Sequence, residues 1–389
     1  MKKWSWLAVV IVGVMLLFSG VAVAKVSGVC SNCHTMHNSQ GGSPMAYDES
    51  GNPLSEPQGA LLITTCLGCH STTGTDVTKT VAGSTVPLVY SSGGPTYTPD
   101  GKHAGMGEVL AGGNFYWATD AGGGDAKGHN VSGIGTTSFT QPPGYSQATS
   151  YGRPATWDMS KFTCAGTYGC HGDPTKEGSF AGVYGAHHTN DECLKLATYN
   201  DSEAGKTVGT SYRFLLGIKG IEDDDWELSV SPSEHNVYLG EDRTSDAISS
   251  THTISYLCAE CHGDFHSGTG NLGMDEGTSV GHPWLRHPTD WDMGNTDSGS
   301  EYRSYGHPDQ TVGTYSPIAP VGWATLSANM TIDQVNFSDD TIVLCVSCHR
   351  AHGTPNDDIL RWNYSAMDAG SSDDPRNEIG GCFICHTTK

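Results

Sequence analysis

Along the 389 residues, apolar positions seldom recur with a regular period, and the longest apolar run comes first. It reads MKKWSWLAVVIVGVMLLFSGVAVA: Lys2 and Lys3, an apolar stretch from Trp4 to about Phe18, then Ala22-Val23-Ala24. Charge, apolar core and small-residue ending in that order predict a secretory signal peptide over 1–24, cleaved after Ala24. No later stretch approaches the roughly 20 apolar residues of a membrane helix, so the mature chain is expected to be exported without a transmembrane segment. Runs such as STTGTDVTKTVAGSTVP and YSSGGPTYTPDG are turn and loop sequences. SYRFLLGIKG followed by IEDDDWELSV predicts a small strand or hairpin element. Regular structure should otherwise be confined to short helices.

Composition sharpens that picture. With 51 glycines and 36% hydrophobic residues, the polypeptide alone would struggle to bury a core. The formal charge of −22 falls to −24 without Lys2 and Lys3. Such acidity argues against nucleic acid and anionic membrane as partners and makes encounters with basic partners depend on ionic strength. Asp223, Asp224 and Asp225 are adjacent and lack the alternating oxygen spacing of a calcium loop, so a solvated acidic turn is expected there.

The cysteines supply the missing core. Twelve of thirteen fall in six signatures that end in Cys-His. Five are Cys-x-x-Cys-His: Cys30, Cys33 and His34; Cys66, Cys69 and His70; Cys258, Cys261 and His262; Cys345, Cys348 and His349; Cys382, Cys385 and His386. The sixth, CAGTYGCH, carries Cys164, Cys170 and His171 around a longer loop. Two thiols at this spacing reach the two vinyl groups of one porphyrin, and the following imidazole ligates its iron. Disulfides and zinc ribbons also use Cys-x-x-Cys, but neither requires the histidine. Six covalently bound haem c groups are therefore expected. In the longer motif Gly166 and Gly169 would let the loop bulge from the ring; attachment through Cys170 alone, with Cys164 free or paired to Cys193, is the competing reading. Cys193, the odd cysteine, reads as a buried thiol.

The proximal histidines are separated by 36, 101, 91, 87 and 37 residues. This spacing divides the mature chain into 25–160 with haems 1 and 2, 161–250 with haem 3, and 251–389 with haems 4, 5 and 6. Twelve further histidines could close the irons: His37, His103, His129, His187, His188, His235, His252, His266, His282, His287, His307 and His352. Three of them, His37, His266 and His352, follow a proximal histidine by one short turn. From there a side chain does not readily reach the far face of its own porphyrin, so it would ligate a neighbouring haem and hold adjacent rings together.

The segments CSNCHTMHNSQGG, CLGCH, GGNFYW, KGHN, CAECHGDFH, WLRHP, LCVSCHRAH and CFICHTTK resemble the doubled-CXXCH multihaem c-type cytochromes. Within that family the likeness is to hexahaem, filament-forming outer-surface members, across most of the mature chain. The resemblance implies an irregular multihaem cytochrome c, mostly coil with short helices wrapped around a packed chain of six haems. It implies bis-histidine irons, with distal roles for His37, His129, His266, His287 and His352. The sixth distal ligand would come from His187 or His188, with His235 and His103 in reserve. A histidine matching His37 would ligate a haem of the next subunit. The middle departs from the family pattern, in CAGTYGCHGD, GAHHTNDEC and SYRFLLGIKGIEDDDWE.

The expected function is extracellular electron transfer rather than catalysis, in a secreted protein at the cell surface or in a filament, with the periplasm as the alternative location. Expected partners are copies of itself in a head-to-tail polymer, electron donors of the periplasm or outer membrane, and extracellular acceptors. The rival readings are a multihaem oxyanion reductase and a monomeric periplasmic shuttle. A reductase needs an open iron and a cationic pocket, whereas this chain has abundant histidine, no CxxCK motif and strong acidity.

Overall fold

A computed structural model describes residues 37, 39–40, 43–44, 55–56, 66–81, 84–98, 105–119, 124–135, 139–145, 152–183, 185, 214–243, 250–266, 288–295, 305, 314–327, 330, 332–335, 340–367 and 381–386. Most of these residues are turns, bends and coil. The first half holds short pieces: β1 (Ser39–Gln40), β2 (Ser43–Pro44), the single-turn helix α1 (Leu67–His70), β3 (Ser71–Thr72), β4 (Thr78–Val81), β5 (Ser84–Pro87) and β6 (Tyr90–Ser91). Two further helical turns follow, α2 (Gly124–Lys127) and α3 (Ser179–Gly182). Among the described residues no helix is long and apolar enough to cross a membrane.

Among the described residues the largest sheet lies in the second half. Strands β7 (Gly220–Ile221), β8 (Val237–Leu239), β9 (Trp291–Asp292), β10 (Gly322–Trp323) and β11 (Ile342–Val343) pair in the order β7-β8-β10-β11-β9. The β8–β10 pair is parallel and the other three are antiparallel. Alternation along the strands divides the core in two. Val237, Trp323 and Val343 join one cluster with Trp362 and Ile384, against which Cys348, Cys382 and Cys385 pack. Tyr238, Ile342 and Leu344 join Leu215, Ile218 and Ile254 on the other face. The strand or hairpin expected in the SYRFLLGIKG and IEDDDWELSV region is β7, which pairs with β8 across the acidic turn. There Asp223 accepts from the Glu227 amide at 2.9 Å, and Asp225 accepts from the Leu228 and Ser229 amides at 2.9 and 3.0 Å. These carboxylates cap their own turn.

Among the described residues the longest helix is α4 (Ile254–His262), whose last five residues are CAECH; the single-turn α5 (Cys345–Cys348) carries the next motif. Thr253 caps α4, its hydroxyl accepting from the Tyr256 amide at 3.0 Å. A third apolar cluster gathers Leu67, Phe115, Val131, Ile134, Trp157 and Phe162, with Cys164 and Cys261 packed against it. Residues from all three stretches of the chain thus share one cluster.

Candidate haem-binding sites

Five of the six attachment motifs lie among the described residues, and each presents its cysteines and histidine from a tight turn. Cys66 is the N-cap residue of α1, with the Cys69 and His70 amides bonded to its carbonyl at 3.1 and 2.9 Å. The C-terminal motif repeats this on a 3-10 turn over Gly381–Ile384, where the Cys385 and His386 amides bond to Cys382 O at 3.1 and 2.8 Å. CAGTYGCH reaches the same end without a helix: the Cys170 and His171 amides converge on Cys164 O at 3.2 and 3.0 Å. Gly166, at φ +87°, makes the bulge that the sequence anticipates. Gly169 serves otherwise, because a Cβ there would lie 2.4 Å from Ala165 N.

Between motifs, the sulfurs are neighbours in chain order. The Cys66 thiol contacts that of Cys164, joining the second and third motifs. Cys170 lies within electrostatic reach of Cys258 and Cys261, joining the third to the fourth. Cys258 contacts Cys345, joining the fourth to the fifth. Cys348 lies within electrostatic reach of Cys382 and Cys385, joining the fifth to the sixth. All nine of these cysteines are free thiols. Burial raises Cys170, Cys261, Cys348, Cys382 and Cys385, the last to about 12, whereas the bond from the neighbouring thiol lowers Cys66 and Cys345. Among the described residues, no three of His, Cys, Asp and Glu converge as a zinc knuckle requires.

Two histidine pairs carry the ligand geometry. His129 faces His262 with ring centres 6.1 Å apart, and His171 faces His352 at 6.3 Å, both tilted. A metal–imidazole bond of about 2 Å on each side, plus the distance from nitrogen to ring centre, comes to roughly 6 Å. Each pair therefore has the spacing to hold one iron between a motif histidine and a partner from elsewhere in the chain. The two partners are fixed together: His129 Nδ1 bonds to Ala351 O, the neighbour of His352, and Gly353 bridges both Gly113 and Gly128. The His352 amide bonds to Gly112 O at 2.7 Å, and Phe115 stacks on its ring at 4.6 Å.

Ring orientation follows one rule. The Nδ1 atoms of His70, His262 and His349 bond at 2.8 Å to the carbonyls of Pro87, Pro143 and Asp358. That bond fixes the tautomer and leaves Nε2 as the coordinating atom, the arrangement that metal-ligating histidines favour. Burial lowers the pKa of His70, His129 and His349, and lowers that of His262 to about 4, with His129 adding to the effect. These rings are therefore neutral and hold a lone pair at physiological pH. Nearby, Arg243 is 3% exposed and donates through Nη2 to His266 O and Thr289 O at 2.8 Å each. Its Nε and Nη1 have no acceptor among the described residues, and the carboxylate of a propionate-bearing group would supply one. On these grounds the residues fit haem c.

No family model matches the chain. The C-type cytochrome OmcS of Geobacter sulfurreducens is 27% identical over 430 residues, spanning 98% of this chain and 90% of OmcS. The chain resembles OmcS. Among solved structures, the Outer Membrane Cytochrome S filament from the same organism aligns over 94% of this chain and all of that one, at 20% identity and a TM-score of 0.42. The OmcS nanowires seen by cryo-electron microscopy align over 95% of this chain and 94% of theirs, at 21% identity and the same TM-score of 0.42.

The remaining sequence candidates have different surroundings. His266 is 1% exposed, and its Nε2 bonds to Asp290 at 2.8 Å. His235 has Nδ1 on Asn236 O at 2.8 Å and Nε2 on Ile332 O at 3.0 Å, and it stacks on Tyr315 at 3.6 Å. Both nitrogens are thus engaged by the core. His37 is exposed, with φ +53°. Cys30, Cys33, His34, His103, His187, His188, Cys193, His282, His287 and His307 lie outside the described residues, as does the predicted signal peptide. His252, one of the twelve candidates but not assigned to an iron, has its Nδ1 bonded to Gly217 O at 2.6 Å, the same posture as the motif histidines. No spacing marked it.

Proposed function

We propose that this chain is a secreted multihaem cytochrome that carries electrons along six covalently bound haem c groups to acceptors outside the cell, as the subunit of a head-to-tail filament. The observation that carries the reading is the pair of imidazole couples, His129 with His262 and His171 with His352, each at iron-bridging separation. Bound haem supplies the one-electron iron couple. The protein's own residues fix ring spacing through neighbouring sulfurs, hold the imidazoles neutral and exclude water from the clusters around them. The resemblance to OmcS along nearly the whole chain supports electron transfer over oxyanion reduction, and supports a cell-surface or extracellular location. His252 replaces His235 as the reserve distal ligand, because its Nε2 is not turned to a core carbonyl in the way His235 is.

Intact mass of the processed protein, with paramagnetic resonance of its oxidised form, tests the proposal. Six haems and purely low-spin iron are expected. A mass with five haems would remove the CAGTYGCH assignment, and a substantial high-spin signal would transfer weight to the reductase.

Assembly is tested separately through His37, whose exposed position suits a reach toward a haem of the next copy. A contact of that kind repeats into a helix unless the rotation closes a ring. His37→Ala should abolish filaments in electron micrographs and leave one open iron per subunit. Wild-type protein that stays monomeric with six six-coordinate irons would sink the filament reading.

A further inference from the structure

The third motif has five residues between its cysteines where the others have two, and the excess is held by groups from outside it. Gly166 O and Thr167 O, in the bulge, accept from Arg153 Nη1 at 3.3 and 3.2 Å. The other edge of that guanidinium meets Glu260: Nε lies 2.8 Å from Glu260 Oε2, and Nη2 bonds to the same oxygen. Glu260 stands between Cys258 and Cys261 on α4. One side chain therefore spans from the third attachment loop to the fourth attachment helix.

The pair is also nearly dry, with side chains 4% and 14% exposed. A buried ion pair seldom stabilises more than well-packed apolar residues in its place, so its position is more informative than its strength. Arg153 lies within electrostatic reach of both Cys170 and Cys261, the second cysteine of each motif. Opposite charges are thus fixed, one beside the other, where two neighbouring porphyrins would attach.

We propose that Arg153 and Glu260 are positioning residues that lock the haem 3 loop to the haem 4 helix and balance the potentials of those two haems with opposed charges. The proposal rests on the reading of CAGTYGCH as a haem site. Ferric haem carries one more positive charge than ferrous haem. A nearby cation therefore raises the potential, a nearby anion lowers it, and low dielectric strengthens both effects.

Spectroelectrochemical titration of the intact protein, with its mass, decides the matter. Arg153→Met should shift two of the six couples to more negative potential. Glu260→Gln should shift the same two to more positive potential, and the double variant should return them toward wild type, with four couples unmoved throughout. Arg153→Lys keeps the charge without the guanidinium's fork; it should hold the potentials while speeding amide exchange over residues 164–171. A merely structural clamp behaves otherwise, since a loosened site admits water, favours the ferric form and lowers the potential in every variant. Negative shifts in both single variants, or no paired shift, would overturn the proposal. Should Arg153→Met not fold, the sign in Glu260→Gln decides alone. A wild-type mass with five haems would instead remove the site on which the proposal stands, and mass distinguishes that failure from the others.

Discussion

The attachment segments 164–171 and 258–262 end in the same Cys-His and are neighbours in space, yet they are built by different means. The second is the end of a nine-residue helix with a hydroxyl cap at Thr253 and an inward face of Ile254, Ser255 and Ala259. Helical geometry alone sets the spacing of Cys258, Cys261 and His262. The first has no helix. Its turn closes through Cys164 O, a left-handed Gly166, a Gly169 with no room for a side chain and a left-handed Gly172, and its bulge leans on Arg153 from outside. A helical site is thus specified locally, whereas a looped one borrows its rigidity from distant residues. The looped site should therefore be more sensitive to single substitutions.

Gly172→Ala is the harshest test of that difference. Gly172 follows His171 at φ +71°, and a Cβ there would lie 2.2 Å from Gly182 O, a backbone atom with little freedom to retreat. Left-handed strain and the clash together should cost upwards of about 3 kcal/mol. The measurable consequence is loss of one haem by mass, with haem 4 retained. A variant that keeps six haems and wild-type melting would show that the loop is not held as tightly as the helix.

Distal ligation should erase the contrast. His352→Ala and His129→Ala each remove one partner of a motif histidine, and each should convert one of six irons to a high-spin or ligand-accessible form. The double variant should convert two, read by paramagnetic resonance and carbon monoxide titration. Both substitutions should leave the fold largely intact, because the Gly353 bridges to Gly113 and Gly128 use backbone groups alone. Conversion of three or more irons would mean that the Gly353 crossing, rather than the ligand pairs, is the structural unit.

What the sequence makes legible follows the same division. Local features are visible in it: the motifs as tight turns, the bulge at Gly166, the scarcity of regular structure and an acidic turn at Asp223–Asp225. Pairing is not. His129 and His352 stand among the twelve candidates, but which motif histidine each faces depends on the crossing of KGHN and RAHG at Gly353, residues more than 200 positions apart for His129 and Ala351. Arg153 gave no signal at all, because a lone arginine in YGRPATWD looks like any surface cation until Glu260 is placed beside it. The sequence is equally silent on His266: its place after CAECH suggests a ligand but gives no sign of Asp290, 24 positions away, to which its Nε2 bonds.

The smallest effect expected is at the cap of the helical site. Thr253 accepts from the Tyr256 amide at 3.0 Å and donates to Asp290 Oδ2 at 2.8 Å, the same oxygen that holds His266. Thr253→Ala removes the cap and one donor to a fully buried carboxylate, so a loss of about 1–2 kcal/mol in unfolding free energy is expected. Thr253→Ser keeps the hydroxyl and forfeits one methyl, which should cost about 1 kcal/mol or less. Chemical denaturation followed by the Soret band measures both, and haem content should stay at the wild-type level in each, because α4 retains its intrahelical bonds. If Thr253→Ala instead released haem 4, the helix would depend on distant contacts as much as the loop does, and the contrast between the two sites would disappear.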